Sequence, residues 1–138
     1  EIPQCIAQAG GMIRWLSVPV VRAIHLELVR EHGGREGVRD EHLLNSALAR
    51  PRNLKAYESS DAFRLAAAYA YGICRNHPFI DGNKRTALMA AYVFLRMNGH
   101  ILNASEVEAV LIFLRLADGS LTEKGLAEWL RLNSKTMR

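Results

Sequence analysis

His77, Asp81, Lys84 and Arg85 fall within nine consecutive residues, His77-Pro78-Phe79-Ile80-Asp81-Gly82-Asn83-Lys84-Arg85. A titratable imidazole, a carboxylate and two cations held this close are the parts of a phosphate-handling site. The imidazole can take a proton from an attacking hydroxyl. A carboxylate is a hard ligand of the kind Mg²⁺ uses in nucleotide sites, where one or two carboxylates combine with phosphate oxygens and water. The pattern also predicts a helix opening at Asn83, with Asn83 as its cap. Lys84 and Arg85 then sit in a first turn where cations oppose the helix dipole, at about 0.3–1 kcal/mol each. A bound anion removes that conflict, and a nucleotide phosphate on the backbone donors of the turn is the simplest occupant. Gly82, lacking a Cβ, lets the backbone approach it.

Each residue also has a plainer reading. His77 can be a helix-terminal residue that favours the dipole there, and that reading is preferred for His25, His32, His42 and His100. Asp81 can be a turn former before glycine, and Lys84 and Arg85 can be solvated surface cations. Phe79 reads as the buried anchor of the loop. What separates His77 from the other histidines is that its neighbours supply every remaining part of a transfer site.

The elements that must position this loop are helical. Ser17 caps a helix with Val21, Ile24, Leu28 and Val29 inward, stopping at Gly33-Gly34. Asp40 caps a short helix with Leu43, Leu44, Ala47 and Leu48 inward, ended by Pro51. Residues 51–59 read as a loop or flap, with Lys55-Ala56-Tyr57 as the one plausible strand. Ser60 or Asp61 opens a central helix with Phe63, Ala66, Ala67, Ala70, Ile73 and Cys74 on one face, and its alanines allow close packing. The helix after the motif turns Ala87, Ala91, Phe94 and Leu95 inward until Gly99. Ser105 caps the next, with Val107, Val110, Leu111 and Leu114 as its apolar face, and Thr122 or Ser120 opens the last, with Leu126, Trp129 and Leu130. The fold expected is all-α, a compact single-domain bundle of about six helices with a short flap hairpin.

The length of 138 residues suits one domain. Residues 1–12 show no periodicity and read as an extension, with Met12 as an alternative start, so the domain is placed at 13–138. Two cysteines, Cys5 and Cys74, have no metal-ligand spacing, and Cys74 falls in an apolar helical pattern. No apolar run approaches the roughly 18 residues of a membrane span, and the setting expected is reducing and cytoplasmic. The net charge of +4 raises the question of nucleic acid. The arginines are scattered over different helices, however, so no direct nucleic-acid contact is expected, and the basic balance suits an acidic protein partner.

The nonapeptide resembles the Fic motif, His-Pro-Phe-x-Asp/Glu-Gly-Asn-x-Arg. From about Arg14 to Leu132 the chain resembles the Doc (death on curing) toxin branch of the Fic/Doc family. Gly37-Val38-Arg39-Asp40, Leu43-Leu44 and Ser46-Ala47-Leu48-Ala49-Arg50-Pro51 match an upstream signature, and Thr86-Ala87-Leu88 continues the motif in the Doc manner. The resemblance implies that His77 takes the proton from the attacking hydroxyl, that Asp81 holds Mg²⁺, and that Gly82, Asn83, Lys84 and Arg85 hold the phosphates of ATP. It places a flap that positions the target at about 50–57. Adenylyl-transferring relatives carry glycine after the motif asparagine and a second arginine three residues after the first, where this chain has Lys84 and Leu88. Without that arginine the resemblance implies a reversed nucleotide presenting its γ-phosphate, and hence a kinase acting on a protein serine or threonine, with translation elongation factor Tu as the family precedent. Pro78, Asp81 and Gly82 fit the wider consensus equally, so AMP transfer is the alternative and a catalytically silent helical binding module the second alternative. Many Fic proteins restrain themselves through a Ser/Thr-x-x-x-Glu-Gly/Asn helix. No such pattern occurs in the sequence, and the resemblance implies a Phd-type antitoxin as partner, with a disordered segment that folds on the toxin.

Overall fold

The computed structural model describes residues 12–137. The expected extension over residues 1–12 therefore lies, Met12 apart, outside the described residues, as does Cys5. Among the described residues the chain forms six helices: α1 (Val18–His32), α2 (Glu41–Tyr57), α3 (Ala62–Asn76), α4 (Asn83–Met97), α5 (Glu106–Asp118) and α6 (Glu123–Leu132). Two short strands, β1 (His100–Leu102) and β2 (Ser134–Thr136), pair antiparallel with His100 opposite Thr136 and Leu102 opposite Ser134. Together they stitch the end of the chain to the far end of α4.

Helix starts follow local chemistry. The side chains of Ser17, Asp40, Asp61, Ser105 and Thr122 each accept a backbone N–H of the first turn they precede, satisfying a donor that would otherwise be orphaned, at about 1 kcal/mol each. α3 is the axis of the bundle, buried on nearly every side from Leu65 to Cys74, and it packs against α2, α4 and α6. The expected inward faces of α3 and α4 are those observed: Ala66, Ala67, Ala70 and Ile73 meet Ala87, Ala91, Phe94 and Leu95 in one core.

Three expectations need correction. α2 does not end at Pro51 but runs through it to Tyr57, so the region 50–57 is helical and Lys55-Ala56-Tyr57 is its last turn, not a strand. The strand pair lies instead at His100–Leu102 and Ser134–Thr136. An interior proline forfeits the bond to the carbonyl four residues back and costs about 3 kcal/mol. Here Pro51 is buried, and the apolar surface it removes from water works against that cost. The Ala47 carbonyl left without that bond rests against Gly72 of α3, so closely that a Cβ on Gly72 would lie 3.1 Å from it.

The second correction is the face of α5. Val107, Val110, Leu111 and Leu114 point outward, with Val107 at 69% and Leu111 at 55% exposure, while Ala109, Phe113 and Leu116 are buried. This helix is apolar almost all round, so periodicity alone does not choose its inner stripe; burying the large Phe113 ring does. The third is the cap of α4, taken up with the site it belongs to.

A polar cluster ties three helices together. Glu123 of α6 is buried at 9% exposure and accepts from Arg50 of α2 and from Arg64 of α3, the latter at 3.0 Å. The hydrogen bond to Glu123 holds the Arg50 guanidinium above its ordinary value. No described helix is long and apolar enough to cross a membrane.

Candidate active site

α3 ends by placing His77 at its C-cap in the left-handed conformation, φ 48° and ψ 56°, which costs a non-glycine residue about 1–2 kcal/mol. Its imidazole is exposed, with Nδ1 3.5 Å from Asn83 Nδ2. The loop then turns inward, and Phe79 at 1% exposure is the anchor the sequence predicted.

Asn83 is not the cap of α4. Gly82 is, with φ 77°, and no side chain caps this helix. Asn83 is its first residue, buried at 6% exposure, and its amide brackets Phe79: Oδ1 accepts the Phe79 N–H at 3.0 Å and Nδ2 donates to the Phe79 carbonyl at 3.0 Å. Asparagine is needed for this because only an amide both accepts and donates at one site. The N–H groups opening α4 are thereby left without a side-chain acceptor, and no acidic residue lies in the first turn. Both features favour an anion there.

Asp81 is exposed. Its Oδ1 accepts the Gly82 N–H at 2.9 Å and its Oδ2 the Arg35 N–H at 3.3 Å. Its carbonyl accepts from His25 Nε2 at 2.8 Å. Since a carbonyl only accepts, Nε2 is the protonated nitrogen of His25. That imidazole is buried at 3% exposure and stacks on Phe79 with centroids 3.9 Å apart.

A second set of contacts comes from the turn before α2. The Pro78 carbonyl accepts from the N–H groups of Arg39 at 2.7 Å and Asp40 at 3.1 Å, and Ile80 N–H donates to the Gly37 carbonyl at 3.0 Å. Arg39 donates through Nε to the His77 carbonyl and through Nη2 to the Asn76 carbonyl, both at 2.8 Å. The Gly37-Val38-Arg39-Asp40 stretch and the nonapeptide are thus one hydrogen-bonded unit.

Asp81, Gly82, Asn83, Lys84 and Arg85 line one groove of about 480 Å³, whose other walls include His32 of α1, Leu88 and Met89 of α4, and Glu106, Val110, Phe113 and Leu114 of α5. His77 does not line this groove; it stands beside it, across Asn83. Among the described residues neither Lys84 nor Arg85 enters an ion pair. Cations and free backbone donors beside apolar side chains suit phosphates attached to a largely apolar group. Burial pushes the Cys74 thiol up to about 11, against a weaker opposing pull from Lys84, so this cysteine one turn before His77 is a neutral core residue and not a nucleophile.

Among the described residues no group of three or more His, Cys, Asp or Glu side chains is placed to hold a metal ion. The lone carboxylate of Asp81, which lines the groove, is of the kind that holds Mg²⁺ where phosphate oxygens and water supply the remaining ligands.

Two contributors were not assigned to the site from sequence. His25 sits among Val21, Leu28 and Val29 on the inner stripe of α1, and a histidine at such a position is the signal that marks it. Arg39 lay inside the upstream signature, with no local pattern to connect it to His77.

Residues 15–95 match the Fic/DOC family. Over 121 residues, 86% of this chain and 94% of the relative, the sequence is 31% identical to the "Protein kinase doc" of Escherichia phage P1. Over 71 residues, 49% of this chain and 53% of the relative, it is 48% identical to the "Toxin Doc" of Mycolicibacterium smegmatis.

Proposed function

The chain belongs to the Fic/DOC family, and from that premise we propose that it is a Doc-like toxin that transfers the γ-phosphate of ATP to a serine or threonine hydroxyl of a protein. The convergence of Asp81, Gly82, Asn83, Lys84 and Arg85 on one groove beside an exposed imidazole carries this reading. The name of the phage relative, a protein kinase, supports phosphate rather than AMP as the group moved.

The uncapped start of α4 and the side chains of Lys84 and Arg85 receive the phosphates, and Leu88 leaves no second cation on the next turn to hold the distal ones. Asp81 would hold Mg²⁺, which supplies neutralisation of phosphate charge. His77 accepts the hydroxyl proton on the neutral imidazole as the hydroxyl oxygen attacks the γ-phosphorus. The bond from phosphorus to the bridging β,γ oxygen breaks, and ADP carries that electron pair away. Lys84 and Arg85 stay in place throughout and stabilise the charge spread over the moving group.

Translation elongation factor Tu is the protein target we propose, and growth arrest in the cytoplasm the consequence. A Phd-type antitoxin is the proposed restraint. The outward stripe of Val107, Val110, Leu111 and Leu114 on α5, beside the groove, supports a protein partner at this end of the molecule. AMP transfer is the competing reading, since Pro78, Asp81 and Gly82 fit the wider motif as well as the Doc one.

Purified protein is incubated with the elongation factor and ATP labelled at either the α or the γ phosphate, and the product is weighed by mass spectrometry. Transfer of γ label alone, lost in His77→Ala while MgATP binding persists, is the expected result. Transfer of α label would replace the kinase with an adenylyltransferase, and no MgATP uptake by calorimetry would remove both.

A further inference from the structure

We propose that Arg39 is a positioning residue for the His77 base, acting on the backbone of His77 and not on any ligand; the role rests on the kinase reading above. His77 is the one described residue other than glycine with a positive φ. The conformation is doubly unfavourable because Pro78 follows, and a residue before proline is driven toward extended backbone. Something must hold His77 where it is.

The guanidinium of Arg39 is placed to do so. Its Nη2 donates to the Asn76 carbonyl and its Nε to the His77 carbonyl, each at 2.8 Å. Those carbonyls belong to the two peptide planes on either side of the His77 Cα. The angle between the planes is set by φ and ψ of His77. A rigid, planar fork that grips both planes therefore fixes both torsions, and with them the direction in which the imidazole leaves the backbone. A lysine ammonium reaches the same oxygens as a single point without that constraint.

The rest of the turn stays tied down without this side chain. Arg39 N–H and Asp40 N–H still reach Pro78, and Ile80 N–H still reaches Gly37, through backbone atoms alone. Arg39 is exposed, so its removal uncovers little apolar surface. The phosphate-binding residues are braced separately, by Asn83 on Phe79 and by His25 on Asp81. Loss of the fork is thus predicted to act on the base and to spare the groove.

Arg39→Gln and Arg39→Lys are compared with wild type in two ways. Nucleotide-free NMR reads the amide–Hα coupling and the ¹³Cα and ¹³Cβ shifts of His77. Both should leave left-handed values in Arg39→Gln, with Arg39→Lys between, while the shifts of α4 and the melting temperature hold. Steady-state transfer should show kcat lower by about 10- to 100-fold, the loss expected for a misplacement near 1 Å, with KM for MgATP within about twofold. Unchanged His77 couplings in either variant overturn the proposal, as does a rise in KM matching the loss in kcat, which would make Arg39 a nucleotide contact. Should Arg39→Gln fail to fold, Arg39→Lys alone decides by the same couplings. Wild-type protein that neither binds nor uses MgATP would defeat the kinase reading, and the NMR comparison would still decide whether Arg39 sets the backbone of His77.

Discussion

The imidazole of His25 lies flat on the ring of Phe79, centroids 3.9 Å apart and planes 8° apart, and bonds through Nε2 to the Asp81 carbonyl at 2.8 Å. One side chain of α1 thus holds both the anchor of the loop and the residue whose carboxylate faces the groove. His25→Phe keeps the stack and loses the donor. Its fold should persist, while transfer weakens about 10-fold and needs more Mg²⁺, an effect of one lost hydrogen bond of about 1–1.5 kcal/mol. His25→Ala loses both contacts and should also lower stability by about 2–4 kcal/mol. Denaturant unfolding and Mg²⁺ titration of activity check the pair; a His25→Phe variant with the wild-type Mg²⁺ dependence would detach His25 from Asp81.

Leu88 lines the groove one turn beyond Lys84. Leu88→Arg places a third cation there, able to hold distal phosphates and turn the nucleotide so that its α-phosphate meets His77. The expected outcome is AMP on a share of the modified target, read as the ratio of α- to γ-label incorporated. A variant that still transfers only γ-phosphate would mean that this position does not set nucleotide direction.

Gly72 is where α3 meets the proline-containing turn of α2. A Cβ would lie 3.1 Å from the Ala47 carbonyl oxygen and 3.2 Å from its Cα, and backbone atoms cannot swing aside. Overpacking of this kind costs about 1–3 kcal/mol, against a gain of about 1 kcal/mol from alanine's helix propensity. Gly72→Ala should therefore be less stable by up to about 2 kcal/mol in urea unfolding. A more stable variant would mean that the two helices separate easily.

His100 gives the fold a pH dependence. Burial lowers its imidazole below the ordinary 6.5, with the Asp61 carboxylate partly opposing. Below 6.5 the unfolded chain takes up a proton that the folded chain takes only at lower pH. Stability therefore falls as pH drops from 6.5 through the folded value. Asp61 acts further down. Burial raises its carboxyl, but the hydrogen bonds from Arg131 and the Arg64 N–H outweigh this and hold it below 3.8, so its contribution is present above 3.8 and lost on further acidification. His100→Gln should flatten the melting-temperature profile just below pH 6.5 and leave the lower limb; an identical slope in both proteins would exclude His100 as the cause.

The parts of this protein written in short stretches were legible. Ser17, Asp40, Asp61, Ser105 and Thr122 mark helix starts because a cap bonds within three residues of itself. The inner face of α4 follows from spacing, and α3 reads as central because its small apolar residues run almost unbroken from Leu65 to Cys74. The inner face of α5 is not legible because the helix is apolar on both sides, and the sequence suggests an end for α2 at Pro51 because the cost of that proline is local while its burial in the folded chain is not. Asn83 looked like a cap because asparagine before a helix usually is one; its partner proved to be Phe79, four residues back, reached only after the loop folds over.

By itself, the sequence determined which chemical groups this molecule has and that they arrive together, because His77, Asp81, Gly82, Asn83, Lys84 and Arg85 lie within nine consecutive residues. Only the tertiary structure decided how they are held. Arg39 reaches His77 across 38 residues and His25 reaches Asp81 across 56, and no local preference of the backbone encodes contacts over such separations. They exist because α2 and α4 pack on α3 while α1 packs on α4 and α2, which brings the turn before α2 and the inner stripe of α1 onto the same loop.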